Sequence, residues 1–415
     1  MAERARGAAA PQQAPRRGGR THRPLTAVLA ALVAVTLLGG CATAAARSGH
    51  AESADRAAPA VVTASSVSPA DGTTGYSPTG AVKADAGSGT LRDVTLTSAK
   101  GTKVPGTLSA DGKQWAPDGA LGYGGTYTWS GTAVAPDGTT TPLAGSFSTV
   151  APKRTVKATT NIGDGATVGV AAPIEVQFYR NLDPAAKAAA EKAMKVETSV
   201  PVEGAWAWLP DDQQGSRAHW RPKAYWPAGT EVKMTASIYG VDLGDAGYGA
   251  ADISSSFTIG RSQIVKADED SHRIVVIRDG KQVMDLPASY GKENDPNRVT
   301  RSGIHIVMGK AETVLMTNLA YGYENLPEKW AVRISNNGEF IHANPASVSV
   351  QGKSNITHGC INLSTKNAKT YFDTAMFGDP VEVTGSSVAL SAADGDVYDW
   401  ALTWDQWKSM SALAG

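Results

Sequence analysis

The stretch Thr357-His358-Gly359-Cys360-Ile361-Asn362-Leu363 decides how the rest of this 415-residue chain is interpreted. It contains one of the two cysteines of the sequence, and the other, Cys41, lies near the N-terminus. A thiol attacks as its thiolate and needs a base or a positive charge close by. His358 stands two residues before Cys360, and His342 stands 18 residues before it. The stretch therefore predicts a Cys–His nucleophilic site, with a buried structural cysteine as the alternative.

The segment that joins His342 to Cys360 has the composition of turns. It contains Asn344-Pro345 and the polar run Gln351-Gly352-Lys353-Ser354-Asn355. Residues of these types break regular structure and reverse the chain direction. We expect the segment to fold back and to set His342 against Cys360.

In order and spacing, these residues resemble the motif of the L,D-transpeptidases with a YkuD-type catalytic domain. The resemblance implies that His342 is the general base, that Cys360 is the nucleophile, and that backbone N–H groups around Gly359 and Cys360 bind the oxyanion. His358 corresponds to the second histidine of the motif. Asn362 occupies a position that is Arg in many members and Asn in others, and we expect it to contact the substrate.

Two residues depart from the usual motif. Thr357 replaces the commoner Ser, and Ala343 follows the base where relatives often have Ser. In relatives that Ser orients the histidine through its backbone carbonyl, so Ala343 is expected to serve equally.

The resemblance covers about residues 262–385 and also predicts a lid over the substrate groove. The lid corresponds to Met316-Thr317-Asn318-Leu319-Ala320-Tyr321-Gly322-Tyr323. Relatives carry a methionine and a tyrosine here that contact the donor peptide. We assign these roles to Met316 and Tyr323, with Tyr321 as a rival and simple packing as the alternative for each. His305 lies in an alternating apolar segment and is expected to be a packed or surface residue.

Composition favours β-structure and excludes one class of partner. The 39 basic and 39 acidic residues give a formal net charge of zero, whereas a nucleic-acid-binding protein needs a basic surface. Ten tryptophans and many short apolar runs between glycines are typical of strands.

Two parts of the chain before the catalytic motif repeat each other. Three pairs of segments correspond: Asp71-Gly72 with Asp164-Gly165, Trp115-Ala116-Pro117 with Trp220-Arg221-Pro222, and Ser146-Phe147-Ser148-Thr149 with Ser256-Phe257-Thr258-Ile259. We infer two tandem immunoglobulin-like β-sandwiches at 61–150 and 151–260, with a helical insert at 184–194 in the second. The tryptophans at 206, 208, 220 and 226 are expected to pack in the core of the second sandwich, with a glycan-binding face as the alternative.

The first 60 residues have the pattern of an exported, anchored protein. Arginines precede an apolar run from Leu25 to Leu38, which is too short for a comfortable membrane span. Leu38-Gly39-Gly40-Cys41 resembles the bacterial lipobox, and ordinary cleavage near Ala42-Thr43-Ala44 is the alternative. The sequence predicts a lipoprotein signal at 1–40, lipidation of Cys41 and a flexible linker at 41–60.

The complete prediction is an all-β chain in which the two sandwiches are followed by a β-rich catalytic domain at 261–385. A Trp-rich extension at 386–415, with one helical face of tryptophans, is expected to dock within the chain, with the membrane interface as an alternative cover. After the catalytic motif, Ser364 is expected to cap a helix from Thr365 to Phe377, with Ala368, Phe372, Ala375 and Met376 facing inward.

The resemblance implies a function in cell-wall synthesis and cell shape. The enzyme would join peptidoglycan stem peptides, a donor tetrapeptide and an acceptor stem, into 3→3 crosslinks through a cysteine acyl-enzyme. We expect a carbapenem-sensitive monomer, lipid-anchored at the extracytoplasmic face of the membrane, with no cofactor, no metal and no nucleic-acid partner.

Four alternatives stay open at this point. They are a zinc site formed by His342, His358 and Cys360, a wall-binding protein with an inert catalytic domain, an L,D-carboxypeptidase, and a protein-to-wall ligase that uses the same cysteine chemistry. The zinc site lacks the paired short spacings usual for that metal.

Overall fold

The computed structural model describes residues 64–392 and 397–414. The predicted signal peptide at 1–40, the linker at 41–60 and the lipidation site Cys41 lie outside the described residues. Within the described ranges, no helix combines the length and the apolar character needed to cross a bilayer.

The first β-sandwich consists of two four-stranded sheets. One sheet has the order β1-β3-β6-β5, formed by Ser66–Ser68 (β1), Lys83–Asp85 (β3), Gln114–Pro117 (β6) and Gly106–Leu108 (β5). The other has the order β2-β8-β7-β4, formed by Thr73–Tyr76 (β2), Thr140–Thr149 (β8), Thr126–Val134 (β7) and Thr90–Ser98 (β4). Leu96, Trp129 and Phe147 are buried in the core of this sandwich.

The second β-sandwich also has two four-stranded sheets. One sheet has the order β10-β12-β15-β14, formed by Ala158–Thr160 (β10), Ile174–Phe178 (β12), Arg217–Pro222 (β15) and Gly204–Leu209 (β14). The other has the order β11-β18-β16-β13, formed by Thr167–Val168 (β11), Ile253–Ile259 (β18), Glu231–Ala236 (β16) and Met194–Thr198 (β13). Thr155–Val156 (β9) and Tyr248–Gly249 (β17) form a small separate pair. The four tryptophans predicted to pack here are all buried, so the packing interpretation is confirmed.

The helical insert of the second sandwich is shorter than predicted. It is helix α1, Pro184–Lys192, and Asp183 caps it by accepting a hydrogen bond from the Ala186 N–H. The chain then enters β13 at Met194, which the prediction placed in the helix. Tertiary pairing with β16 overrides the helix propensity of the last predicted residues.

The sequence repeat corresponds to an Asp-Gly turn with the same hydrogen bonds in both sandwiches. In the first sandwich Asp71 accepts a hydrogen bond from the Ser146 N–H at 2.7 Å, and in the second Asp164 accepts the matching bond from Ser256 at 2.8 Å. The following glycines, Gly72 and Gly165, donate back to the carbonyls of the same serines. Each Asp-Gly turn thus fixes the start of a strand that pairs in parallel with the last strand of its sandwich.

The catalytic region contains two further sheets and one helix. One sheet has the order β21-β20-β19-β27-β22 and comprises Lys281–Pro287 (β21), Arg273–Arg278 (β20), Gln263–Asp268 (β19), Pro380–Thr384 (β27) and Gly303–Ile306 (β22). The other has the order β23-β24-β25-β26 and comprises Gly309–Asn318 (β23), Tyr323–Arg333 (β24), Phe340–Ala343 (β25) and Ile361–Leu363 (β26). The β20–β21 hairpin turns at Asp279 and Gly280, both at positive φ, the conformation that a tight primed turn requires.

Helix α2, Thr365–Thr374, follows the catalytic motif and is capped by Ser364 as predicted. The prediction that it continues to Phe377 is wrong, because Ala375 adopts an extended backbone. Its buried face consists of Ala368 and Tyr371, whereas Phe372 is half-buried and packs edge-on against Trp330.

The C-terminal extension packs against the second sandwich, which confirms the expectation that its tryptophans dock within the chain. It forms a 3-10 turn at Asp399–Ala401 and then helix α3, Trp404–Ser409, instead of one continuous helix. The break falls where Thr403 caps α3. Trp407 is fully buried, and the Arg221 guanidinium of β15 lies 4.6 to 5.4 Å from the ring centres of Trp400, Trp404 and Trp407.

Candidate active site

His342 and Cys360 come together because two neighbouring strands run in parallel. In the β25–β26 pair, Ile341 lies opposite Ile361 and His342 lies opposite Asn362. Cys360 immediately precedes β26. A simple fold-back would have made these strands antiparallel. The connection instead passes through a 3-10 turn, Pro345–Ser347, and returns to start β26 beside β25.

The buried imidazole of His342 and the half-buried thiol of Cys360 line the same cavity, and the thiol donates to the Gly338 carbonyl at 3.6 Å. Burial alone lowers the pKa of His342, but its interactions with Cys360 and Glu328 outweigh burial and raise the pKa to about 10. A histidine with so high a pKa stays protonated at neutral pH when a thiolate faces it. A protonated imidazole in the same cavity supplies the positive charge that a cysteine nucleophile needs close by.

The other ring nitrogen of His342 is held by two acceptors. Nδ1 lies 3.0 Å from the backbone oxygen of Ala343, so the alanine serves the orienting role expected of its carbonyl. Nδ1 also lies 3.1 Å from Oε2 of Glu328, a carboxylate whose side chain is only 13% exposed. With Nδ1 engaged by these acceptors, we assign proton exchange with Cys360 to Nε2.

The loop before Cys360 is fixed by hydrogen bonds to its own backbone. Thr357 Oγ1 donates to the Cys360 carbonyl at 2.6 Å and accepts from the Gly359 N–H at 3.2 Å. Thr300, fully buried, donates to the Gly359 carbonyl at 2.9 Å. Thr357 therefore has a structural reason to carry a hydroxyl, which Thr and Ser both supply.

The conformation of Gly359 explains why a glycine stands there. Its φ is +111°, a region unfavourable for other residues, and an added Cβ would lie 3.3 Å from the Val299 carbonyl. The Gly359 N–H is already bonded to Thr357. Gly359 therefore shapes the loop, the N–H of Cys360 is the remaining candidate donor of the expected pair, and oxyanion binding stays a prediction.

His358 faces the lid. Its ring lies 4.5 Å from that of Tyr321 and 5.7 Å from that of Tyr323. Burial and the nearby Arg298 charge lower the pKa of His358. A neutral imidazole in tilted contact with aromatic rings is suited to forming a wall of the site, and His342 is the buried histidine of the cavity that contains Cys360.

The lid is the β23–β24 hairpin, closed by the 3-10 turn Leu319–Tyr321. Met316 on β23 and Tyr323 on β24 line both cavities that meet at Cys360. One cavity, of about 290 Å³, also contains Glu328, His342 and Asn362 among its walls. The other, of about 440 Å³, extends past Val299, Gly338 and Phe340.

Of the remaining predicted contacts, Asn362 lines the first cavity and Tyr321 covers His358. The Oδ1 atom of Asn362 is buried and has no hydrogen-bond partner within residues 64–392 and 397–414. His305 is fully buried with both ring nitrogens near backbone carbonyls, consistent with a packed residue outside the site.

Sequence reasoning missed three residues of the site: Glu328, Thr300 and Arg298. Arg298 donates from Nε to the Thr357 carbonyl at 3.1 Å, and Thr300 and Glu328 act as described above. All three are far from the motif in sequence and have side chains common on any surface. In the part of the chain that the structure describes, no group of three His, Cys, Asp or Glu side chains is placed to hold a metal ion.

Comparison with known proteins gives two family matches. Residues 262–383 match the model of the L,D-transpeptidase catalytic domain, and residues 73–242 match the model of a bacterial Ig domain. The chain is similar to L,D-transpeptidase 5 of Mycobacterium tuberculosis, with 52% identity over 83% of this chain and 76% of that protein. It is also similar to L,D-transpeptidase 2 of M. tuberculosis, with 37% identity over 83% of this chain and 84% of that protein. Among solved structures, LD transpeptidase LdtMt1 in complex with imipenem is 32% identical, with a TM-score of 0.46 and coverage of 56% of this chain and 99% of that one.

Proposed function

The chain belongs to the L,D-transpeptidase family, and from that premise we propose that Cys360 and His342 carry out the acyl transfer that builds 3→3 crosslinks in peptidoglycan. The enzyme is a peptidoglycan L,D-transpeptidase, and the family works through a cysteine acyl-enzyme. The observation that supports our residue assignment is that His342 and Cys360 line one cavity and that Cys360 also lines the neighbouring one.

In the first half-reaction the Cys360 thiolate attacks the carbonyl at the L-centre of diaminopimelate in a donor tetrapeptide. The negative charge that develops on the carbonyl oxygen is stabilised by backbone N–H groups of the loop, of which the Cys360 N–H is our candidate. The His342 imidazolium then gives its proton to the leaving amine. D-Ala departs, and the donor remains bound to Cys360 as a thioester.

In the second half-reaction an amine of an acceptor stem attacks the thioester carbonyl. Neutral His342 removes a proton from this amine, the C–S bond breaks, and the imidazolium–thiolate pair is restored. Cys360 lines two cavities, which gives the donor and the acceptor separate routes of approach in this proposal. This geometry supports transfer to a second stem, the reaction that a carboxypeptidase or an inert wall-binding module would not perform.

The lid residues are proposed to bind the donor. Met316 and Tyr323 line both cavities and Asn362 lies beside His342 in the first one, so these three side chains surround the reacting carbonyl. Asn362 has a buried amide oxygen available to an N–H donor of a peptide. Since Tyr321 lines neither of these two cavities and its ring lies 4.5 Å from that of His358, we assign it a supporting role at the wall of the site.

The N-terminal prediction is retained as part of this proposal. A lipid on Cys41 would hold the enzyme at the extracytoplasmic face of the membrane, and the sandwiches would carry the catalytic domain toward the wall as part of a monomer. Its support is the lipobox-like Leu38-Gly39-Gly40-Cys41 after an arginine-rich start and an apolar run.

The deciding experiment incubates the protein with a purified disaccharide-tetrapeptide donor and an acceptor stem and identifies the products by mass. We expect a dimer that has lost D-Ala and carries a 3→3 bond. Tripeptide alone would indicate a carboxypeptidase. No product from the wild type would refute the assignment.

A further inference from the structure

Glu328 is a half-buried acid of the lid hairpin that the mechanism above does not use. Its carboxylate lies 3.1 Å from His342 Nδ1. The two side chains are only 13% and 4% exposed, so water screens their interaction little. Resting on the proposed function, we propose that Glu328 is a positioning residue of the reaction, which makes the site a Cys360–His342–Glu328 triad.

The backbone around Glu328 is shaped to bring its side chain to this place. On β24, Glu328 pairs with Val314 of the lid hairpin, and the next residue, Lys329, pairs with Ala343 beside the catalytic histidine. The register then shifts before Val332, and Trp330 has a φ of +54°. A bulge of this kind re-aims side chains next to active sites.

The bulge is also anchored. The Trp330 ring packs against Phe372 of α2 with 5.4 Å between ring centres, and the Lys369 ammonium lies 4.9 Å from the centre of the same ring. Glu328 therefore sits at the fixed base of the lid, two residues from a packed aromatic contact.

The chemical consequence concerns the charge on His342. Its ring is neutral when the thiol is neutral and positive when the thiolate forms. The Ala343 carbonyl can hold the tautomer in both states, but only a carboxylate adds a full opposite charge when the ring becomes an imidazolium. Glu328 thus stabilises the charged pair that attacks the donor and that is restored after transfer.

The titratable groups that face His342 are Cys360 and Glu328, with Tyr323 close to both of them. Removing the Glu328 charge leaves the Ala343 carbonyl in place, so the tautomer is retained and the loss is confined to electrostatics. We expect Glu328→Gln to lower kcat on the order of tenfold, less than the loss expected for removal of the base itself. Glu328→Asp should recover most of the rate, since it keeps the carboxylate.

The test measures kcat and KM with donor and acceptor stems, and the acylation rate with imipenem, as functions of pH. Glu324→Gln is the matched control, because Glu324 lies on the same strand with its side chain exposed. In the wild type, the alkaline fall in rate should follow loss of the imidazolium proton near pH 10. In Glu328→Gln that fall should move to lower pH, with KM unchanged, while Glu324→Gln behaves as wild type.

Two results would overturn the proposal. One is a Glu328→Gln variant whose kcat is unchanged and whose rate falls at the same alkaline pH as that of the wild type. The other is a Glu328→Gln variant in which only KM is raised, while kcat and the pH of the alkaline fall are unchanged. That result would make Glu328 a contact for a substrate ammonium in the cavity it lines.

An NMR titration of the His342 ring nitrogens provides a readout that needs a folded protein but no turnover. The pKa of His342 should be lower in Glu328→Gln than in the wild type, and an equal pKa would refute the triad. If the wild type makes no product, the proposed function fails, while this titration still decides on Glu328.

Discussion

Replacing Trp407 by alanine should destabilise the protein strongly without touching the active site. The Trp407 side chain is fully buried between α3 and β14, and its Nε1–H donates to the Ala205 carbonyl at 2.9 Å. Truncating a buried tryptophan costs about 3–5 kcal/mol, because apolar burial is lost and a cavity remains. The lost hydrogen bond adds about 1 kcal/mol and leaves the Ala205 carbonyl without that donor.

The corresponding change in melting temperature can be estimated. At about 2–4 °C per kcal/mol for a cooperative unit of 150–250 residues, the Tm should fall by roughly 10 °C or more. The assay is thermal unfolding followed by calorimetry at fixed pH. Trp404→Ala is the comparison, because Trp404 is half-buried and its Nε1–H bonds only to exposed Glu203, so its Tm should fall by less. If Trp407→Ala melted like the wild type, the tail would not contribute to the fold, and our account of its docking would be wrong.

Four further predictions concern charge, catalysis and anchoring. Burial lowers the pKa of His219, but the charge of Asp399 outweighs burial and raises it. The stability that this fully buried pair contributes should therefore be complete below about pH 6.5 and should decline as the pH rises through the raised pKa. The stability of Asp399→Asn, measured by unfolding, should lack that decline. Burial raises the pKa of Glu269 to about 8, so the wild type should lose stability between about pH 4.5 and 8, and Glu269→Gln should unfold at a higher temperature at pH 8 with a flatter pH dependence. His342→Ala should reduce the crosslinking rate about 10²-fold or more, and an effect confined to His358→Ala would reverse our assignment of the two histidines. Cys41→Ala should move the protein from the membrane fraction to the medium or leave its signal uncleaved, whereas a wild-type N-terminus without lipid, found by mass, would contradict lipidation.

The sequence allowed the architecture to be predicted wherever the signal was local or repeated. The Asp71 and Asp164 turns mark the start of equivalent strands, and Asp279-Gly280 specifies its own hairpin. Helix ends were less predictable, since α1 yields to strand pairing at Met194 and α2 ends where Ala375 turns extended. Both outcomes depend on neighbours that are distant in sequence.

The catalytic site shows the same division. Cys360 and His342 could be chosen from their motif, but the parallel pairing that joins them follows from how β25 and β26 sit in one sheet. The sequence did not indicate Glu328 as a site residue, because its position depends on a bulge at Lys329 and Trp330 that no local sequence pattern predicts. The engagement of the Gly359 N–H by Thr357 likewise became visible only in three dimensions.

The central claim, that Cys360 forms the acyl-enzyme, is tested most directly by the intact mass of the protein after brief exposure to donor tetrapeptide without acceptor. We predict an adduct equal to the donor minus D-Ala, mapped by peptide sequencing to Cys360 and absent from Cys360→Ala, whose melting temperature should stay close to that of the wild type. An adduct that persists in Cys360→Ala, or a wild type that turns over donor with the thiol unmodified throughout, would contradict the account.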